Sequence, residues 1–141
     1  MIQNEISDIL KKAKTIVVIG LSPDPEKHSF EVGLYLKHHG YRILPVNPLA
    51  NEILGEKSYK NLLSLPEELQ KSIDIVDIFR KPEDVLSIVE QAIQLKTKFG
   101  RPLLVWMQLG IINEEAAKAA RKAGLIVVMD KCLMVEHHKL T

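Results

Sequence analysis

Cysteine is nearly missing from this chain: Cys132 is the single one in 141 residues, which excludes an intrachain disulfide. An excess of one charge is missing too. The 19 basic and 18 acidic side chains leave a formal net charge of +1, so no general field draws in nucleic acid or an anionic membrane, and any phosphate recognition has to be local. No apolar run approaches membrane-spanning length. The opening Met1-Ile-Gln-Asn-Glu5 lacks the basic and apolar parts of a signal segment. A soluble, cytoplasmic protein is expected, with partners that are neither nucleic acid nor membrane. Internal repeats and low-complexity linkers are also absent. What is present is 46% hydrophobic content, enough for one ordinary core and too little chain for two, so residues 1–141 are expected to form a single domain.

The chain is organised around Thr15-Ile-Val-Val-Ile-Gly-Leu-Ser22. An unbroken Ile/Val run suits a strand buried on both faces, as in a parallel sheet covered by helices. Gly20 permits a sharp turn and leaves room for a ligand near the main chain. The following helix, expected to be capped by Ser29 and closed by Lys37, His38, His39 and Gly40, would turn its free N–H groups and positive dipole end towards that loop. Before the first strand, Ile2, Ile6, Ile9, Leu10 and Ala13 fall at helical spacing, giving an amphipathic helix over 2–13 that packs on the sheet edge or on a partner.

Further strands are expected at Tyr41–Val46, Ile73–Phe79, Pro102–Trp106 and Leu125–Met129, with a short one near Lys57–Tyr59. Ser64-Leu-Pro-Glu67 has capping-box spacing and predicts a short helix. A long helix opens at Pro82 and closes at Lys96, Lys98 and Gly100, and another runs from the cap Asn113 to Gly124. Strand and helix alternate, so the predicted class is α/β: a Rossmann-like doubly wound sheet, mostly parallel, with helices on both faces in a three-layer sandwich.

In such a fold the first strand lies beside strand 73–79, where the winding reverses and a crevice opens at the carboxyl ends. Gly20–Ser22 and Phe79–Lys81 would face each other there, with Asn47 and Pro48 beyond. Arg80 has the planar fork that suits a diphosphate. Gly20-Leu-Ser-Pro-Asp-Pro25 lacks the two later glycines of the dinucleotide fingerprint, and Asn47 stands where an NAD site usually has an acid. Both mismatches disfavour a nicotinamide cofactor.

Val18-Ile-Gly-Leu-Ser22, Pro45-Val-Asn-Pro48 followed by Ile53-Leu-Gly55 and Tyr59, Asp74-Ile-Val-Asp-Ile-Phe-Arg80, Trp106-x-Gln-x-Gly110 and Met129-Asp-Lys-Cys132 form an ordered set. The set resembles the small single-domain CoA-binding proteins, which are similar to the CoA-binding domain of the succinyl-CoA synthetase α subunit. The resemblance runs from about Ile9 to Leu140. It implies coenzyme A, or a short acyl-CoA, in the crevice. Gly20, Leu21, Ser22 and Pro23, with Lys27, His28 and Ser29, would hold the phosphates. Asn47 and Pro48 would flank the adenosine, and Phe79, Arg80 and Val85 would line the opposite wall with Lys81 supplying charge. Gln108 and Gly110 would border the pantetheine path.

Two departures from the related domains stand out. Leu49 occupies a place where they often carry a basic residue, leaving Lys27, Arg80 or Lys81 to meet that phosphate. The chain also lacks the further domain that carries the phosphorylated catalytic histidine of the α subunit, so ligase activity alone is not expected.

Cys132, beside Lys131 and after a strand end, could lie near the CoA thiol and form a mixed disulfide with it under oxidising conditions, although a lone cysteine is more often a small buried hydrophobe. Trp106 reads as core. Glu136, His137 and His138 lack a third residue at metal-site spacing and read as a solvated tail. Asp74 and Asp77 on one strand do not make an acid–base pair, and no catalytic residue or metal site is assigned. The expected function is a CoA-binding carrier, sensor or regulatory module, acting with a protein partner or as a homodimer. The alternatives are an NAD(P)-dependent oxidoreductase, and an interaction domain that pairs through helix 2–13.

Overall fold

In chain order the elements are α1 (Ile2–Lys12), β1 (Thr15–Ile19), α2 (His28–His38), β2 (Arg42–Val46), β3 (Glu52–Ile53), β4 (Glu56–Lys57), a 3₁₀ turn (Leu62–Ser64), α3 (Glu67–Gln70), β5 (Ile75–Ile78), α4 (Pro82–Phe99), β6 (Leu104–Met107), α5 (Glu114–Lys122), β7 (Ile126–Val128) and α6 (Leu133–His138). These come from a computed structural model that describes residues 2–140. The five longer strands form one parallel sheet in the order β2-β1-β5-β6-β7. The order is that of a doubly wound fold whose winding reverses between β1 and β5. The expected α/β, Rossmann-like architecture is therefore the one observed.

Central position explains the composition of β1, since all five of its residues are buried between two apolar layers. Val17 and Ile19 join Val76, Ile78, Val105 and Met107 under α4 and α5. Ile16 and Val18 face the other way, with Ile75, Leu104 and Trp106, under α1, α2 and α6. Each helix is delimited by local chemistry. Pro82 starts α4, and Gly100 ends it at φ 75°; the Asn113 side chain accepts the Ala116 N–H at 2.9 Å to start α5.

The apolar stripe of α1 packs on the chain's own core through Ile6, Ile9 and Leu10, and the Tyr41 hydroxyl donates to the Leu10 carbonyl. The face expected to join two copies is therefore engaged within the chain; the side chain of Ile2, part of that stripe, lies outside the described residues. Among the described residues no helix is long and apolar enough to cross a membrane.

Three local expectations are corrected. Residues 52–57 form a β3–β4 hairpin whose two-residue turn, Leu54 at φ 56° and Gly55 at φ 78°, has the double positive φ of a tight hairpin. Tyr59 instead bridges to Val46. The capping box lies three residues upstream of its expected place: Asn61 and Ser64 cap the 3₁₀ turn reciprocally, and α3 starts at Glu67, with Pro66 in the cap position and no side-chain cap. Glu136–His138 belong to α6 rather than to a solvated tail, because Leu133 is fully buried and anchors the helix.

Candidate functional site

The loop after β1 is built by one backbone requirement. Gly20 has φ +88°, and a Cβ there would overlap the Phe79 carbonyl oxygen. Its N–H donates to the Val46 carbonyl at 2.8 Å, while Phe79 N–H donates to the Ile19 carbonyl at 2.8 Å. The missing side chain thus lets three strand ends meet. The space expected for a ligand at Gly20 is filled by Phe79, so any ligand passes outside this contact. Leu21 is buried as well, with its side chain against Gly33 of α2. Only its main chain faces the crevice, and that carbonyl accepts the Asn47 side-chain amide at 3.0 Å.

Pro23 to Lys27 form an exposed loop. Ser29 is not the helix cap: α2 begins at His28, Lys27 holds the cap position without a side-chain bond, and the Ser29 hydroxyl accepts the Ser22 N–H at 3.0 Å. Ser22 in turn accepts the Asp24 N–H at 3.0 Å. The serines therefore shape the loop, and the first N–H groups of α2 are left uncapped by any side chain, as an anion site requires.

On the other side, the Asn47 Oδ1 accepts the Leu49 N–H at 2.9 Å, so one end of this amide ties β2 to the first loop and the other closes the turn after β2. Leu49 is 95% exposed. A cleft of ≈ 220 Å³ lies between Pro48, Lys60, Asn61 and Arg80. An open cleft of ≈ 490 Å³ adjoins it along Phe79, Arg80, Lys81 and Ile111. Arg80 donates to Asp84 at 3.1 Å one turn into α4, which aims the guanidinium along the crevice. Lys60 was not read from the sequence. It arrives because Tyr59 N–H donates to Pro45 and Asn47 N–H donates to Tyr59, extending the sheet past β2; a basic residue after an isolated tyrosine was the only sign. Lys27, Lys60 and Lys81 form no ion pair among the described residues.

Two expected wall residues lie elsewhere. Val85 is 0% exposed and sits in the core under α4, because the first turn of α4 points it at the sheet. Gln108 is 1% exposed, and its Oε1 accepts the Leu133 N–H at 3.2 Å; its Nε2 is buried without a partner. Gly110 is exposed and donates to Asp130 at 2.7 Å. Trp106 is core, as expected, with its indole N–H donating to the Lys131 carbonyl at 2.7 Å.

Cys132 is 7% exposed, and its Sγ lies 3.5 Å from Nε2 of His28. The opposite ring nitrogen of His28 lies 3.3 Å from the Glu31 carboxylate, and the ring meets Phe79 edge-on at 6.1 Å. Sequence reading weighed His28 and Cys132 separately; β7 and α6 bring them together. On β5, Asp77 is fully buried with both oxygens unpartnered among the described residues. Burial pushes its carboxyl well above the usual carboxylate range.

A family model described as CoA binding domain matches residues 14–138. The chain belongs to that family. This CoA-binding-domain chain is similar to the protein YneT of Bacillus subtilis strain 168, 36% identical over 133 residues that cover 94% of this chain and 92% of that one. The α subunit of ADP-forming acetate–CoA ligase II from Pyrococcus furiosus is 37% identical over 70 residues, 49% of this chain and 15% of the subunit. A solved structure from Pyrococcus horikoshii OT3 superposes with a TM-score of 0.87 at 40% identity, covering 98% of this chain and 91% of that one. The chain thus matches YneT over nearly its whole length and the ligase subunit over a small part of its length.

Proposed function

We propose that the chain binds coenzyme A, or a short acyl-CoA, in the crevice at the carboxyl ends of β1, β2 and β5. The observation that carries this reading is the set of cations without carboxylate partners, Lys27, Lys60 and Lys81, beside the uncapped start of α2 in a CoA-binding-domain chain. Coenzyme A carries a diphosphate and a 3′-phosphate, and needs several separate cationic contacts. The main chain of Gly20 to Pro23 and the first N–H groups of α2, with Lys27 and His28, hold the diphosphate. Lys60 and Arg80 supply the charge that Leu49 does not. Asn47 and Pro48 flank the adenosine, and Phe79, Lys81 and Gly110 border the pantetheine. Residues 1–141 act as one module, a cytoplasmic carrier, sensor or regulatory subunit rather than an enzyme complete in itself.

Native mass spectrometry with CoA, acetyl-CoA and NAD tests this. One CoA per chain, displaced by acetyl-CoA and not by NAD, is expected. Retention of NAD with no CoA adduct would overturn the reading in favour of a nicotinamide enzyme; retention of none of the three would leave an interaction domain.

A further inference from the structure

Cys132 comes from the β7–α6 connection, His28 and Glu31 from the first turn of α2, and they stand in line: sulfur to imidazole 3.5 Å, imidazole to carboxylate 3.3 Å. A thiol, a base within reach of it and an acid orienting the base are the parts of an activated nucleophile. The relay borders the crevice through the contact of His28 with Phe79. An independent feature lies beside it. The buried Gln108 amide is fixed by the N–H of Leu133, the residue after the thiol, and its Nε2 has no acceptor among the described residues. An amide carbonyl of a pantetheine arm is the kind of acceptor such a donor lacks.

We propose that these three residues form a thiol-exchange site which takes a disulfide of coenzyme A and retains CoA covalently on Cys132; the proposal rests on the CoA-binding reading above. Cys132 gives its proton to Nε2 of His28, and its thiolate attacks one sulfur of CoA–S–S–R. The Cys132–S–S–CoA bond forms as the original S–S bond breaks. The departing thiolate R–S⁻ takes the proton back from His28. One disulfide replaces another, so no further oxidant is needed. A thioester is the poorer substrate. Attack on a carbonyl requires donors for the developing oxyanion, and the N–H next to the sulfur, that of Leu133, is already engaged by Gln108.

The test is to mix the reduced chain with CoA disulfide and follow intact mass after acid quenching. With one cysteine in the chain, a reducible adduct has a single place to form. The expected result is one CoA-mass adduct, reversed by dithiothreitol, forming at least about tenfold faster than the adduct from glutathione disulfide at equal concentration. Cys132→Ser and Cys132→Ala, used together in case one misfolds, should both lack it. At saturating CoA disulfide, His28→Ala should slow adduct formation by about tenfold or more and Glu31→Gln by less. A wild-type chain that retains reduced CoA in native mass spectrometry but forms no adduct would overturn the proposal and leave the CoA reading intact. An unchanged rate in His28→Ala would overturn the relay. Failure to retain reduced CoA would remove both.

Discussion

The two ends of the sheet handle charge differently. At the amino end, Asp74 accepts the N–H groups of Lys14 at 2.8 Å and Thr15 at 3.1 Å and pairs with Arg101, so its carboxylate is fully bonded inside the fold. A cavity of ≈ 420 Å³ there is lined by side chains of both signs, Asp8, Lys12, Lys14, Asp74 and Arg101. At the carboxyl end the tighter cleft holds Lys60 and Arg80 against the single acid Asp84. Charge rather than volume sets the two ends apart: the uncapped N–H groups of α2 and the cations without carboxylate partners among the described residues, features that suit a polyanion, stand at the carboxyl end.

Breaking the carboxyl end should have the largest effect. Gly20→Ala adds a Cβ into the Phe79 carbonyl at a left-handed φ, and is expected to destabilise the chain by about 3 kcal/mol or more and to abolish CoA binding. A denaturant melt within 1 kcal/mol of wild type, on the order of experimental error, would mean the strand ends can part without cost. Asp74→Ala breaks the other end. Loss of acceptors for two N–H groups and of the Arg101 pair is expected to cost about 2–3 kcal/mol, while the affinity for CoA measured by calorimetry stays at the wild-type value. Lys60→Ala or Arg80→Ala should do the converse, each weakening CoA about tenfold, or about 1.4 kcal/mol, with melting temperature nearly unchanged and a shallower salt dependence.

Asp77 sharpens the comparison on the pH axis, since no partner among the described residues offsets its burial. Its folded pKa is raised by desolvation, so the unfolded chain gives up that proton first. Stability then falls as pH rises above the ordinary carboxylate value of about 3.9 towards the raised folded value, and is not regained above it. Asp77→Asn should melt a few degrees higher at pH 7 to 8 and lose this advantage near pH 4. The smallest effect is expected at His137, which shares a 2.9 Å hydrogen bond with the Tyr35 hydroxyl. Burial, then His39 and His138, lower its pKa, so stability falls as pH drops through about 6.5. His137→Gln should flatten that slope in thermal melts between pH 7 and 5.

What was legible in the sequence follows the same division. Strands β1 and β6 are continuous apolar runs near a glycine or a proline, and β5 is an Ile/Val run interrupted by Asp77, so local chemistry suffices to read them. The helix ends at Pro82, Gly100 and Asn113 were equally readable, because a cap acts within one turn. Ser29 was misread because a serine before a helix looks like a cap whether it bonds its own helix or, as here, the Ser22 N–H. Val85 and Gln108 carried the right spacing for the crevice but are buried, Val85 in the core and Gln108 against the start of α6, which depends on packing and not on position along the chain. The juxtaposition of His28 and Cys132 spans 104 residues, and α6 looked like a polar tail because one buried leucine, Leu133, holds it down. Lys60 was missed because its place depends on the bridge between Val46 and Tyr59.

Coenzyme A is expected at the carboxyl end of the sheet and nowhere else. Titrating reduced CoA into the ¹⁵N-labelled chain and following amide shifts tests it directly. Saturable shifts at 20–29, 47–49, 60 and 79–81, with 8–15, 74 and 101 unmoved, are the predicted result. Shifts concentrated around Lys12, Asp74 and Arg101 would contradict the account and move the site to the opposite end of the sheet.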